Sequence, residues 1–152
     1  MRRKKFKLDG LLKLREFNEQ RVKLELGQIN SEKGRLLEKI AKCKQDIEET
    51  YKAQEAFLET YTPGRNAQFF PMFIQSKREE IKVLENQLHA VDRAYQEKIK
   101  ELSVAKGEVK VIDNLKQDFE TKQNKEIEKK RQEAIDELMM AKRHSKKLAG
   151  EL

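Results

Sequence analysis

The chain has 152 residues, with 34 Lys and Arg against 27 Asp and Glu, a formal net charge of +7 and 40% charged side chains. An average soluble domain is roughly a quarter charged, so this composition excludes a thick globular core. Two Pro, six Gly and no Trp, with few β-branched residues, exclude many-turned sandwiches, barrels and dinucleotide-binding sheets. What remains is a charged helical chain, either coiled coil or disordered, and periodicity decides between the two.

The opening Met1-Arg2-Arg3-Lys4-Lys5-Phe6-Lys7 is basic like the start of a secretory signal, but Asp9, Lys13, Arg15 and Glu16 interrupt any apolar stretch behind it. No apolar run approaches the ~18 residues that span a bilayer. A soluble, intracellular protein is expected. One cysteine, Cys43, excludes an internal disulfide framework and a multi-cysteine zinc site.

From Leu8, alternating steps of four and three visit Leu12, Arg15, Glu19, Val22, Leu26, Ile29, Lys33, Leu36, Ile40, Cys43, Ile47, Thr50, Gln54, Phe57 and Tyr61. Most of these positions are apolar, and Lys, Glu, Arg and Gln, all good helix formers, dominate between them. This is the heptad pattern of a coiled-coil seam. Leu11, Leu14, Phe17, Leu24, Leu37, Tyr51 and Leu58 are expected to broaden it. The spacing predicts helix one over about 5–61.

Thr62-Pro63-Gly64-Arg65-Asn66 breaks the pattern, and Pro-Gly is the strongest turn signal in the chain. The loop is expected over 62–70, and helix two over about 71–145, with Pro71 in its first turn. Its seam visits Ile74, Lys77, Ile81, Leu84, Leu88, Val91, Tyr95, Lys98, Leu102, Ala105, Val109, Ile112, Lys116, Phe119, Gln123 and Glu126; beyond it Ile127, Ile135, Leu138, Ala141 and Leu148 are loosely spaced. Gly27, Gly34 and Gly107 are soft points or places of close packing. A disordered polyelectrolyte has no reason to hold phase over so many heptads.

Two seams around one loop predict an all-α fold: a single antiparallel two-helix coiled-coil hairpin over 1–152, its paired arms about 80 Å long. Facing residue numbers should sum to about 135. That brings Ile47 to Leu88, Ile40 to Tyr95, Leu26 to Val109 and Glu19 to Lys116. Residues after about Ile127 should then project as an unpaired helix end.

Five of the basic residues lie in 1–7 and four more, Lys142, Arg143, Lys146 and Lys147, in 140–149, which leaves 8–139 close to neutral. An antiparallel hairpin gathers both clusters at one end. Such an end serves solubility, salt-dependent nucleic-acid contact, or docking into an acidic cavity of a protein partner. The tails lack the interleaved aromatics and reading motifs that nucleic-acid contact needs. The other end collects Tyr61, Phe69, Phe70, Met72, Phe73 and Ile74, which either fold back as a cap or form an exposed protein-binding patch.

Chemistry is not expected. The sequence has no phosphate loop, no Gly-x-Gly-x-x-Gly and no His-Glu-x-x-His pair. His89 and His144 are far apart, Cys43 sits in a seam, and the carboxylates alternate with Lys at helical spacing, as on a solvated face. No catalytic residue, metal, cofactor or small-molecule substrate is predicted; the chain reads as a binding or mechanical element.

The stretch Phe6-Lys7-Leu8-Asp9-Gly10-Leu11-Leu12-Lys13-Leu14-Arg15 resembles the start of the flagellar FliJ family, coiled-coil proteins of the flagellar type III export apparatus. Phe73-Ile74-Gln75 is similar to the beginning of that family's second helix. Lys110, Leu115 and Lys116 fall at its basic and leucine positions, and Arg131-Gln132-Glu133-Ala134-Ile135-Asp136-Glu137-Leu138 resembles its C-terminal Arg-x-Glu followed by Asp-Glu. The resemblance implies a cytoplasmic stalk-like coiled coil at the cytoplasmic face of the inner membrane, with a role in motility. Its terminal end would enter the hexameric flagellar export ATPase and promote ring assembly, which assigns ring binding to Arg2, Arg3, Lys4, Lys5, Lys7, Arg131, Lys142, Arg143, Lys146 and Lys147. It also implies binding to the cytoplasmic domain of the export-gate membrane protein and escort of export chaperones. Phe73 matches a gate-binding aromatic by position, with Ile74 beside it and Tyr51 or Phe57 as the helix-one partner; Lys77 and Glu80 stand where that family site continues with small or apolar residues. A generic scaffold, or the stalk protein of a virulence-type secretion system, is the alternative.

Overall fold

The computed structural model describes residues 3–60 and 65–150. Helix α1 runs over Asp9–Thr60, a 3-10 turn over Arg65–Gln68 leads into α2, and α2 runs over Phe69–Gly150. The fold is all-α, a helical hairpin with no strand among the described residues. Helix α1 begins four residues later than the periodicity suggests, because a turn at Lys7-Leu8, closed by the Asp9 amide on the Phe6 carbonyl at 3.3 Å, precedes it. Asp9 then sits in the first turn, where its charge favours the positive helix end. Helix α2 begins at Phe69, two residues before Pro71, which therefore falls in the first turn where its missing N–H costs nothing. Tyr61 and the Thr62-Pro63-Gly64 break lie outside the described residues.

By packing, the chain divides into two units, one of residues 20–104 and one of residues 1–19 with 105–152. In the first, Leu36, Ile40, Cys43 and Leu84 form a buried cluster with Ile81, Leu88 and Val91 packed around it. Val22 and Ile74 are buried in the same unit. In the second, Leu12, Ala105 and Ile112 are buried. Among the described residues, every buried side chain lies on a predicted seam position. The polar seam positions other than exposed Glu126 are half-buried, and their lysines reach carboxylates of the other helix. Lys98 Nζ donates to Glu25 at 2.7 Å, Lys33 to Asp92 at 2.9 Å and Lys116 to Asp9 at 2.9 Å.

These pairs correct the expected offset between the helices. Their residue numbers sum to about 125, not 135. Ile40 clusters with Leu84 and not Tyr95, and Lys116 pairs with Asp9 and not Glu19. The expectation centred the reversal on a loop of nine residues. Arg65–Gln68 already coils toward α2 and Phe69 is already helical, so the helical path resumes earlier than the expected loop allows.

The flanking apolar residues do not broaden the seam. Leu14, Phe17 and Leu24 are 63–69% exposed, and Leu37, Tyr51 and Leu58 are exposed as well; only Leu11 is half-buried. The interior glycines also answer an open question. A Cβ built at Gly27, Gly34 or Gly107 meets nothing within 4 Å, so none of them marks a close approach. Gly34→Ala should therefore raise the unfolding free energy by about 0.5–1 kcal/mol, checked by urea unfolding; a loss of stability would show that the position is packed after all.

Candidate partner-binding surfaces

In the unit of residues 20–104, the first turns of α2 bring four phenylalanines together with the end of α1. Phe57 meets Phe70 with ring centroids 5.5 Å apart, Phe70 meets Phe69 edge-on at 5.9 Å, and Phe69 stacks on Phe73 at 5.8 Å. Lys77 Nζ lies 5.5 Å from the Phe73 ring centre, in cation–π range. The same lysine is 3.6 Å from Asp46 and donates to Glu80 at 3.2 Å. Its pKa is raised, chiefly by the Glu80 hydrogen bond.

Phe69, Phe70 and Phe73 border an open groove of about 380 Å³ whose other wall is Asp46, Glu49, Thr50 and Ala53 of α1. The aromatic group is thus both a cap and a surface. Phe57, Phe70 and Phe73 are half-buried, whereas Phe69 is 61% and Met72 71% exposed. Ile74 is buried in the seam and offers a partner little area. Tyr51 does not join Phe73. Its hydroxyl accepts from Arg78 at 2.7 Å, on the flank of the helix pair away from the groove. The acidic wall of Asp46 and Glu49 was not foreseen from the sequence; with the correct offset, both lie opposite the Phe73 level.

In the unit of residues 1–19 and 105–152, the extended start of the chain lies along α2. Phe6 meets Phe119 at 5.6 Å, and Gln123 Nε2 donates to the Lys4 carbonyl at 3.3 Å. Arg3, Lys4 and Lys5 are exposed and, with Phe6, Asp9, Lys116, Phe119, Glu120 and Gln123, border a groove of about 320 Å³. The Lys116 hydrogen bond and charge hold the Asp9 carboxyl below its ordinary value, and Asp9 in turn raises Lys116. Lys7 is also exposed, and Arg2 lies outside the described residues. From Arg131 to Gly150 every residue is exposed, including Lys142, Arg143, Lys146 and Lys147. Arg131 is 3.6 Å from Glu128. The two basic clusters share this unit but occupy different levels of α2. One is beside Gln123 and the other starts at Lys142, about 28 Å further along the helix.

The described residues hold no cluster of His, Cys, Asp and Glu arranged for a metal ion. Burial raises the Cys43 thiol above its ordinary pKa, and Glu80 adds to the shift. No described helix is long and apolar enough to cross a membrane.

The family model for the flagellar FliJ protein matches residues 4–147. The chain belongs to the flagellar FliJ family. It is accordingly a component of the flagellar type III export apparatus, in a family of non-catalytic export proteins. Comparison with curated proteins and with solved structures yields no match. The FliJ-family match takes in both surfaces described above, the aromatic groove and all of the basic ends beyond residue 3.

Proposed function

We propose that this FliJ-family chain is a stalk-like coupling element of the export ATPase. Its basic termini enter the central hole of the ATPase hexamer and promote ring assembly, and the aromatic surface engages the cytoplasmic domain of the export gate. It works in the cytoplasm, peripherally at the inner membrane, and escorts export chaperones. The supporting observation is the pair of exposed basic clusters in one unit: Arg3, Lys4, Lys5 and Lys7 beside α2, and Lys142 to Lys147 on a helix end with no cover from α1. An unshielded cationic helix end is suited to an acidic cavity. Added to the cognate ATPase, the chain should raise hexamer formation and ATP turnover; no change in either would sink the reading.

The gate-binding reading centres on Phe69, Met72 and Phe73, with Asp46 and Glu49 as the acidic wall. Truncating a central aromatic of an interface typically costs more than 1 kcal/mol, so Phe73→Ala should weaken gate binding by about tenfold while the helical circular dichroism stays intact. Tyr51→Phe, on the other flank, should leave the affinity unchanged. Equal losses for both variants, measured by calorimetry, would remove the groove from the binding surface.

A further inference from the structure

The exposed end of α2 is itself patterned. From half-buried Ile127, alternating steps of four and three reach Arg131, Ala134, Leu138, Ala141, Ser145 and Leu148. Ile127 is the last half-buried residue of α2, one position past the seam residue Glu126, and the stripe runs on from it. Most helical stability in proteins comes from the packing of a face. Nothing in the chain's own described residues covers it, because the first described residues lie at the level of Gln123.

Charge is graded along this segment. After Lys129, Lys130 and Arg131, the acidic residues Glu133, Asp136 and Glu137 precede the pair Met139-Met140; Lys142, Arg143, Lys146 and Lys147 follow it, and no carboxylate occurs from 138 to 150. The arrangement is nearly mirror-symmetric. Positions 133 and 146, 136 and 143, and 137 and 142 are each equidistant from the centre of the methionine pair.

We propose that the end of α2 pairs with the same segment of a second copy, antiparallel, crossing at Met139-Met140. Such a pair obeys two-fold symmetry, in which one patch complements itself. It sets Leu138 over Ala141 and Ala134 over Ser145 of the second copy, and small residues at the crossing let the helices approach closely. Along the axis the acidic stretch 133–137 of each copy lies level with the basic stretch 142–146 of the other, twice over, with Asp136 and Arg143 on the outer face. A parallel pair would lay acid on acid and base on base, so charge selects the antiparallel form. The inference does not depend on the ATPase reading. It adds that the self-pair covers the cluster Lys142 to Lys147, so pairing and entry into the ATPase exclude one another.

Sedimentation equilibrium of the full chain tests this directly. At low salt and rising concentration the mass should approach twice 18.0 kDa, and added salt should weaken the association. The triple variant Glu133→Lys, Asp136→Lys, Glu137→Lys should lose the doubled mass, and so should Lys142→Glu, Arg143→Glu, Lys146→Glu. A chain carrying all six changes should regain it, as should an equimolar mixture of the two triple variants. Circular dichroism checks that each variant keeps its helix, since Glu and Lys have similar propensities. A chain that stays monomeric, a dimer indifferent to either triple change, or a failure of both recombinations overturns the proposal.

Discussion

Replacing Leu84 by Ala should lower the unfolding free energy by about 2–3 kcal/mol, the low end of the range for Leu→Ala in a core. Leu84 is buried against Leu36, Ile40 and Cys43, with Ile81, Leu88 and Val91 closing the cluster. The removed methyl groups lose their transfer free energy and leave a gap. A helix pair is open along both flanks, so neighbouring side chains close part of that gap, which keeps the cost from reaching the 5 kcal/mol seen in thick cores. The loss is nonetheless large here, because few other side chains are fully buried. Leu24→Ala is the matched control. It removes the same atoms from a side chain that is 66% exposed, and such surface changes stay within about 0.5 kcal/mol. Urea unfolding followed by circular dichroism separates the two. Equal losses would mean that the predicted seam does not hold the stability.

The contrast between these two leucines measures what could be read in advance. Seam membership was legible because burial in a helix pair follows a 3.5-residue rhythm that neither loops nor partners disturb. Lys33, Lys77, Lys98 and Lys116 sit in that rhythm although they are charged, and all are half-buried. Breadth was misjudged for a physical reason. Two helices bury a narrow strip, so Leu14, Phe17 and Leu24 one step off the seam stay in water, where a third helix would have covered them.

The offset between the helices was not legible from apolar spacing alone. A heptad seam tolerates sliding by its steps of three and four residues, since each such slide returns seam positions to seam positions. The polar seam positions break that degeneracy. Lys33 with Asp92, Lys98 with Glu25 and Lys116 with Asp9 all agree on a single offset, and matching seam lysines to carboxylates across the loop would have found it. The same offset decides the candidate sites. It moves Asp46 and Glu49 to the level of Phe73, and it assigns Tyr51 to Arg78 on the other flank. The basic ends, by contrast, were legible from charge counting. What counting could not show is the distance between them, which follows from how far α2 runs past the start of α1.

That distance shapes the second large effect expected. Changing Lys142, Arg143, Lys146 and Lys147 to Gln should abolish stimulation of the export ATPase, while Arg3, Lys4 and Lys5 to Gln should reduce it only in part. The four distal cations lie on an uncovered helix end, free to meet an acidic cavity from all sides. The three proximal ones share their groove with Asp9 and Glu120, which offset part of their field. Attraction between exposed charges is screened over about 8–10 Å at physiological ionic strength, so the remaining stimulation should fall with salt in the proximal variant and be absent at every salt concentration in the distal one. Gln preserves helix propensity and length, so loss of activity without loss of helical circular dichroism isolates the charge. If the proximal variant were the silent one, the cavity would have to lie at the level of Gln123, and the helix end beyond Arg131 would pass through or beyond the ring and not stop within it.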